Sequence, residues 1–228
     1  VAFVILSRIP EEYVPHKDPH PRRWIPPSLI APGLAIGFVN VHYPVVAGFL
    51  ILHLSHYGDS GTAAFSAYAL LILLSRFFLG GLPDRIHPAI TYYFGLAAMA
   101  VGLVLLGAVP QAGIAVGASA LLGFGFSFPW SAVAATVLRR TPDQQRGSVV
   151  GILSAFFDLF VGISSFAAGA VSARFGYSAA FFMAAAALTA SAIAGRFIFT
   201  ASKEPPAAND AAEYPVGPVQ RSSANATT

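Results

Sequence analysis

The feature that most constrains the fold is a series of apolar stretches, each long enough to cross a lipid bilayer. About 20 helical residues span the hydrocarbon core. Six stretches reach this length, at residues 29–54, 62–82, 89–109, 112–138, 147–173 and 177–200. Only 10% of the residues are charged, whereas soluble domains average about 25%. The sequence therefore predicts an all-α membrane protein with a six-transmembrane-helix bundle at 29–200.

Two polar segments flank the predicted bundle. Residues 1–28 start with six apolar residues and continue as a basic, proline-rich stretch. We interpret this segment as the end of a truncated helix followed by a cytoplasmic connector. Residues 201–228 are rich in Ala, Pro, Ser, Asn and Thr and have little to bury, so we expect a disordered cytoplasmic tail.

The distribution of lysine and arginine predicts the orientation in the membrane. The leading connector holds four basic residues, and the loops after the second and fourth stretches hold Arg85, Arg139, Arg140 and Arg146. The alternate loops hold only Arg174. Because basic loops stay in the cytoplasm, we expect both termini to be cytoplasmic in a multi-pass cell-membrane protein. The net charge of +3 is spread over these loops, so we expect a lipid bilayer and no nucleic acid as partner.

The turn between the second and third stretches carries a recognisable spacing. It reads Arg-x-x-x-Gly-x-Leu-x-Asp-Arg, formed by Arg76, Gly80, Leu82, Asp84 and Arg85, and its glycines and proline end the preceding helix. In this position the spacing resembles the cytoplasmic loop signature of the major facilitator superfamily of transporters. The family motif continues with a glycine and basic residues, whereas this chain has Ile-His-Pro, as in the degenerate second copy between the family's eighth and ninth helices.

A second segment carries the same resemblance. A Pro-x-x-x-Arg-Gly turn at 142–147 precedes a Gly- and Ser-rich helix, and an aromatic-rich helix ends the bundle. The resemblance covers roughly residues 1–203 and matches the C-terminal six-helix half of a twelve-helix protein together with the central loop. It implies that an N-terminal six-helix half is missing from this chain.

The resemblance implies a secondary transporter that moves a small solute by alternating access between two halves. It places Arg76, Gly80, Asp84 and Arg85 at a cytoplasmic gate, where Asp84 would contact a helix N-terminus of the other half. A transport-inactive receptor-like protein and a channel remain alternatives. Few intramembrane charges and many aromatic residues favour a sugar or an amphipathic solute slightly over a highly charged one.

Two polar or aromatic interruptions of the apolar stretches are candidates for solute contact. Asn40 and His42 precede Pro44, which leaves the carbonyl of Asn40 without its usual donor. Residues 123–131, including Trp130, form a Gly-, Phe- and Pro-containing segment that we expect to be a second helix break. The resemblance implies that these two helices line the central cavity. We therefore select Asn40, His42 and Trp130, with ordinary packing as the alternative role of each.

Asp158 is the acidic residue that lies deep inside an apolar stretch. It is eleven residues beyond Gly147, or roughly 16 Å along a helix, which is close to the bilayer centre. A central aspartate costs about 2.5–3.5 kcal/mol in insertion measurements and usually faces a cavity or a partner. We expect Asp158 to face the cavity and to bind a coupling proton or a polar group of the solute. The alternatives are a neutral packing residue or an ion pair with the other half.

The sequence also argues against an enzyme, a metal site and a cofactor. It has no cysteine, which excludes a thiolate metal site, and no metal centre or cofactor is implied. The sequence Gly-Asp-Ser-Gly around Ser60 resembles a serine-protease loop, but a nucleophilic serine needs a nearby base. His53 and His56 precede this loop and His87 is predicted across the membrane, so an intramembrane protease is the least favoured alternative, and Ser60 is expected to be a helix N-cap.

Pairs of glycines four residues apart predict where helices approach one another. Three pairs stand out, at Gly33 and Gly37, Gly113 and Gly117, and Gly147 and Gly151. Small residues let membrane helices pack closely where lipid gives no hydrophobic driving force. We expect all three pairs to lie at helix contacts.

Overall fold

The computed structural model describes residues 25–79 and 86–200. These ranges contain α-helices and two short 3₁₀ turns, Pro27–Leu29 and Asp143–Gln145, and no strand. The helices are α1 (Ile30–Asn40), α2 (His42–Ser55), α3 (Thr62–Leu79), α4 (Pro88–Ala108), α5 (Ala112–Leu138), α6 (Arg146–Phe175) and α7 (Tyr177–Thr200). Since α1 and α2 are two parts of one segment, the described residues form the expected all-α bundle of six segments.

The six segments differ in how well they match the bilayer. Five are long and apolar enough to cross it, at Pro27–Ser55, Pro88–Ala108, Ala112–Leu138, Asp143–Phe175 and Tyr177–Thr200. The remaining apolar helix, Thr62–Phe78, is shorter, and its predicted continuation runs into residues outside the described ranges. The predicted connector at 1–24, the gate residues at 80–85 and the predicted tail at 201–228 also lie outside the described residues.

Tight turns reverse the chain at two of the connections. Gly61 (φ +67°) precedes α3 and Gly176 (φ +82°) separates α6 from α7, and both angles lie in the left-handed region that favours glycine. The prediction that Ser60 is an N-cap is wrong, because the first helical bond of α3 runs from the Phe65 N–H to the carbonyl of Gly61 (3.0 Å). The N–H of Gly61 donates to Oδ1 of Asp59 (3.4 Å), which steadies the turn.

The most extensive helix contact joins α4 to α5. A Cβ added to Gly95 would lie 2.8 Å from the carbonyl oxygen of Gly125, and one added to Gly125 would lie 2.7 Å from that of Gly95. Two helical turns further along α4, a Cβ added to Gly102 would lie 2.7 Å from the carbonyl oxygen of Ala118. The two backbones therefore touch at both of these levels, the close approach that small residues permit in membrane bundles.

Aromatic side chains of α6 fill glycine gaps on α1. Phe156 packs onto Gly33 and Phe160 onto Gly37, each with a ring carbon 2.5 Å from where a glycine Cβ would be. This confirms the first predicted glycine pair. The other two pairs are wrong as contacts within the described residues, because a Cβ at Gly113, Gly117, Gly147 or Gly151 would meet no atom within 4 Å.

Buried hydrogen bonds tie the remaining helices together. Ser191 on α7 donates to the carbonyl of Ala35 on α1 (2.8 Å) and receives the hydroxyl of Tyr92 on α4 at 2.6 Å. His53 on α2 lies 2.9 Å from the carbonyl oxygen of Leu106 on α4, so its Nε2 donates. Such bonds contribute about 0.6 kcal/mol each in a membrane bundle.

The second expected helix break is absent. Helix α5 runs unbroken from Ala112 to Leu138 with Pro129 inside it. The Cδ atom of Pro129 lies 3.1 Å from where a Cβ of Gly95 would be. The proline ring thus packs against the glycine face of α4 and costs α5 one backbone donor without interrupting it.

Candidate functional site

The break between α1 and α2 is centred on Val41. Its N–H bonds to the carbonyl of Phe38, three residues back (3.4 Å), in place of the usual four. The Asn40 side chain bends back so that Nδ2 donates to the carbonyl of Ile36 (2.7 Å). Side chains that bind nearby backbone carbonyls compete with the helical ladder. The polar residues and Pro44 therefore produce the predicted break together.

His42 is fully buried at this break and bridges two helices. Its Nδ1 lies 2.6 Å from the carbonyl oxygen of Val39, and its Nε2 lies 3.0 Å from the hydroxyl of Tyr68 on α3. Because a carbonyl can only accept, Nδ1 carries the proton and Nε2 accepts from Tyr68. In this arrangement the imidazole is neutral and links the break to α3.

Phe126 on α5 connects His42 to Arg76. The two rings of Phe126 and His42 meet edge to face at 4.7 Å between centroids. The guanidinium carbon of Arg76 lies 5.9 Å from the Phe126 centroid, within cation–π distance. The described gate residue and the helix break thus contact the same aromatic side chain.

Two hydrogen-bonded serines lie beside this contact, near the end of α3 that carries Arg76. Ser75 and Ser127 are hydrogen-bonded at 2.7 Å between their hydroxyl oxygens, and Ser127 also lies 3.4 Å from the carbonyl of Ile72. Sequence reasoning missed Tyr68 and Ser75. Their seven-residue spacing places them on one face of α3, but only the fold shows their partners on α2 and α5.

Asn40 retains an unsatisfied acceptor beside the break. The residue is 2% exposed, and its Oδ1 has no hydrogen-bond partner among the described residues. An unpaired buried polar atom is costly. The structure therefore places both Asn40 and His42 inside the bundle, and their contact with a solute stays a prediction.

Trp130 is a residue of α5 whose side chain packs against α6. It is half-buried, packs against Leu29, Val149 and Leu153, and its ring lies 6.4 Å from that of Phe157. Asp158 follows Phe157 on α6 but is exposed on the surface of the described bundle. The structure thus brings Trp130 close to the helix that carries Asp158, while Asn40 and His42 lie in the core.

Helix α6 has three distinct faces. Phe156 and Phe160 pack into α1. A second face is bulky and apolar, with Leu159, Ile163 and Phe166 exposed by 56%, 61% and 84%. The third is a small-residue face that contains Asp158 and consists of Gly147, Gly151, Asp158, Gly162 and Ser165, all exposed.

The remaining candidates lie partly outside the described residues. Arg76 is exposed at the end of α3, and Gly80, Asp84 and Arg85 lie outside the described residues. Ser60 is exposed, and the nearby His53 already binds the carbonyl of Leu106. Within residues 25–79 and 86–200 no group of three or more metal-ligating side chains is present.

Comparisons with known proteins agree with this architecture. A family model described as the Major Facilitator Superfamily matches residues 29–225. An uncharacterized MFS-type transporter of Salmonella typhimurium is 31% identical over 157 residues, which are 68% of this chain and 40% of that protein. An uncharacterized MFS-type transporter of Pseudomonas aeruginosa is 28% identical over 153 residues, covering 67% of this chain and 38% of that protein.

Solved structures resemble the bundle as well. The crystal structure of the peptide transporter POT in complex with sulfate superposes with a TM-score of 0.66 at 18% identity, covering 75% of this chain and 37% of that one. A mutant of POT in complex with alafosfalin gives 0.65 at 18% identity, covering 77% and 39%. The chain therefore spans about two fifths of the length of the proteins it matches.

Proposed function

Because the chain belongs to the major facilitator superfamily, we propose that it forms the C-terminal half of a secondary transporter that moves a small solute across the cell membrane. A second six-helix unit would complete the solute site, and rocking of the two units would expose the site alternately to each side. A sugar or an amphipathic solute is the class we favour. Cytoplasmic termini follow from the basic loops.

The small-residue face of α6 is the observation that carries this proposal. It places a carboxylate among four exposed residues without bulk, directly beside the bulky apolar face of the same helix. Lipid tails would contact the bulky face, whereas a carboxylate near mid-membrane needs a polar cavity or a partner. The exposed small residues also leave room for another helix to approach. Both properties fit a face turned toward a second unit and the cavity between the units.

Asp158 is the residue that we propose for proton coupling. Among the described residues it takes part in no ion pair, whereas Asp143 pairs with Arg146 at 3.0 Å in the loop before α6. A carboxylate without a cationic partner near mid-membrane can bind and release a proton as its surroundings change between dry and wet. Trp130, on the neighbouring helix, is the proposed solute contact.

The test is transport by the complete transporter in proteoliposomes that contain a pH-sensitive dye. A panel of sugars and amphipathic drugs is added, with and without an imposed pH gradient. Asp158→Asn should lower gradient-driven accumulation at least tenfold while exchange of the solute down its own gradient persists. Asp143→Asn, which changes an exposed carboxylate in the short 3₁₀ turn before α6, is the matched control.

Each alternative predicts a different result in the same assay. A receptor-like protein binds solute without flux, and a channel shows flux that does not saturate. An Asp158→Asn variant that still concentrates solute against its gradient removes Asp158 from the coupling mechanism. Flux that saturates but ignores the pH gradient leaves a uniporter.

A further inference from the structure

A cavity opens between the start of α4 and the end of α7, and no residue of the small-residue face of α6 lines it. Its volume is about 490 Å³, and its walls include His87, Tyr93, Ile193, Arg196 and Phe199. We propose that this cavity binds an anionic phospholipid, with the phosphate at Arg196 and the first part of an acyl chain along the apolar wall.

The charge of the cavity is complementary to a phosphate. Arg196 is exposed, and neither α4 nor α7 contains an aspartate or a glutamate anywhere in its length. Among the described residues Arg196 has no carboxylate partner. Arginine binds phosphate through paired N–H donors, so its guanidinium is the principal anion ligand.

His87 adds a second donor at the same mouth. Its Nδ1 accepts a hydrogen bond from the N–H of Ala89 at 3.3 Å, which leaves the proton of a neutral ring on Nε2. Tyr93 lines the inner wall and offers no free donor to an anion, because its hydroxyl already donates to the carbonyl of Ala192 at 3.2 Å. The mouth therefore presents donors, while the interior is apolar and satisfied.

The depth and the surroundings of the cavity select a lipid over a soluble anion. His87 immediately precedes α4, and Arg196 lies one turn before the end of α7 at Thr200, so both donors lie at headgroup level. Ile193 in the wall is 59% exposed, and Ile90 and Phe197, which follow the lining residues Ala89 and Arg196 in the sequence, are 63% and 66% exposed. Such a surface contacts acyl chains. Basic pockets between membrane helices at this level are suited to anionic headgroups.

The experiment is native mass spectrometry of the purified protein with phosphatidylglycerol or phosphatidylcholine as the probe. Wild type should retain phosphatidylglycerol preferentially. Arg196→Gln should weaken that binding about tenfold, as expected for a lost charge-assisted contact. Arg196→Lys should weaken it less, because the charge remains without the paired donors. The matched control is Arg174→Gln, an exposed arginine at the opposite end of the bundle, which should leave binding unchanged.

Several outcomes would overturn the proposal. Equal retention of the two lipids shows that the charge of the cavity is irrelevant. Unchanged binding by Arg196→Gln, with the fold verified by circular dichroism, places the lipid elsewhere. Displacement of the lipid by millimolar inorganic phosphate identifies a soluble anion as the occupant instead.

Discussion

His42 is the residue at which the helix break, α3 and the Phe126–Arg76 contact meet. It is fully buried and uses both ring nitrogens, one toward the Val39 carbonyl and one toward Tyr68. Removing the Tyr68 hydroxyl would leave a buried acceptor without a donor. The usual penalty for that is about 1–3 kcal/mol, but bonds between membrane helices average only about 0.6 kcal/mol. Because Tyr68 and His42 lie on membrane helices, we use the lower value of about 0.6 kcal/mol for the loss of their hydrogen bond.

Tyr68→Phe should lower the free energy of unfolding by about 0.6 kcal/mol, measured by SDS titration in micelles. Tyr57→Phe makes the same chemical change at an exposed residue and should have no effect. The double variant His42→Phe with Tyr68→Phe should lose less than the sum of the single variants, because neither partner is then left unpaired. Equal effects of Tyr68→Phe and Tyr57→Phe would show that the bond is not formed.

Asn40 and His42 could be identified from the sequence because polar side chains beside a proline are unusual in an apolar stretch. Tyr68 and Ser75 could not be selected in the same way, since single tyrosines and serines occur in many membrane helices. Their significance comes from partners 26 and 52 residues away along the chain. Only the packing of α2 and α5 against α3 brings those partners within hydrogen-bond distance.

At the scale of helices, apolar length predicted the segments well and proline predicted breaks poorly. Pro44 and Pro129 both interrupt apolar stretches, yet only the first lies at a break. Near Pro44, Asn40 and His42 bind backbone carbonyls and replace part of the ladder. Near Pro129 the ring packs on Gly95 of α4, and α5 continues through the proline without interruption. A single sequence does not reveal such a contact.

Glycine pairs behave similarly, because their effect depends on what faces them. Gly37→Ala would place a Cβ 2.5 Å from the Phe160 ring, and overpacking of this kind costs about 1–3 kcal/mol. In Gly151→Ala the added Cβ meets no atom within 4 Å. This variant should be neutral or slightly stabilising, because alanine has a higher helix propensity than glycine. Gly37→Ala gains the same helix propensity, so the two variants differ in the contact with Phe160.

SDS titration of the two glycine variants measures this difference directly. Gly37→Ala should unfold at lower SDS than wild type, and Gly151→Ala at the same or higher SDS. Equal stability of the two variants would mean that Phe160 moves aside freely and that α1 and α6 are loosely packed. Loss of transport by Gly151→Ala at full stability would instead indicate that the small-residue face contacts a second unit.

At the scale of the whole molecule, the positions of the basic residues predict which side of the membrane each loop faces. The basic loops predict that the segment at 80–87 is cytoplasmic and that Gln111 is external. The chain contains no cysteine, so single introduced cysteines report without background. Gln111→Cys should react with an impermeant maleimide added to intact cells, and His87→Cys should react only in inverted vesicles. The reverse pattern would invert the proposed orientation.

The same labelling tests the proposed gate at Asp84. A carboxylate beside a helix N-terminus contributes about 0.3–1 kcal/mol when exposed and up to about 2 kcal/mol when partly buried. If that contact forms only while the cytoplasmic side is closed, Asp84→Asn should shift the population toward the inward-open state by roughly 2- to 30-fold. Gly151→Cys reports this shift, because Gly151 lies on the small-residue face near the start of α6 and its Cβ position is free of contacts. Its labelling rate in inverted vesicles should rise with Asp84→Asn and stay constant with Asp59→Asn, a change at the opposite end of α3. An unchanged rate in both would make Asp84 an ordinary solvated turn residue and leave the gate to other contacts.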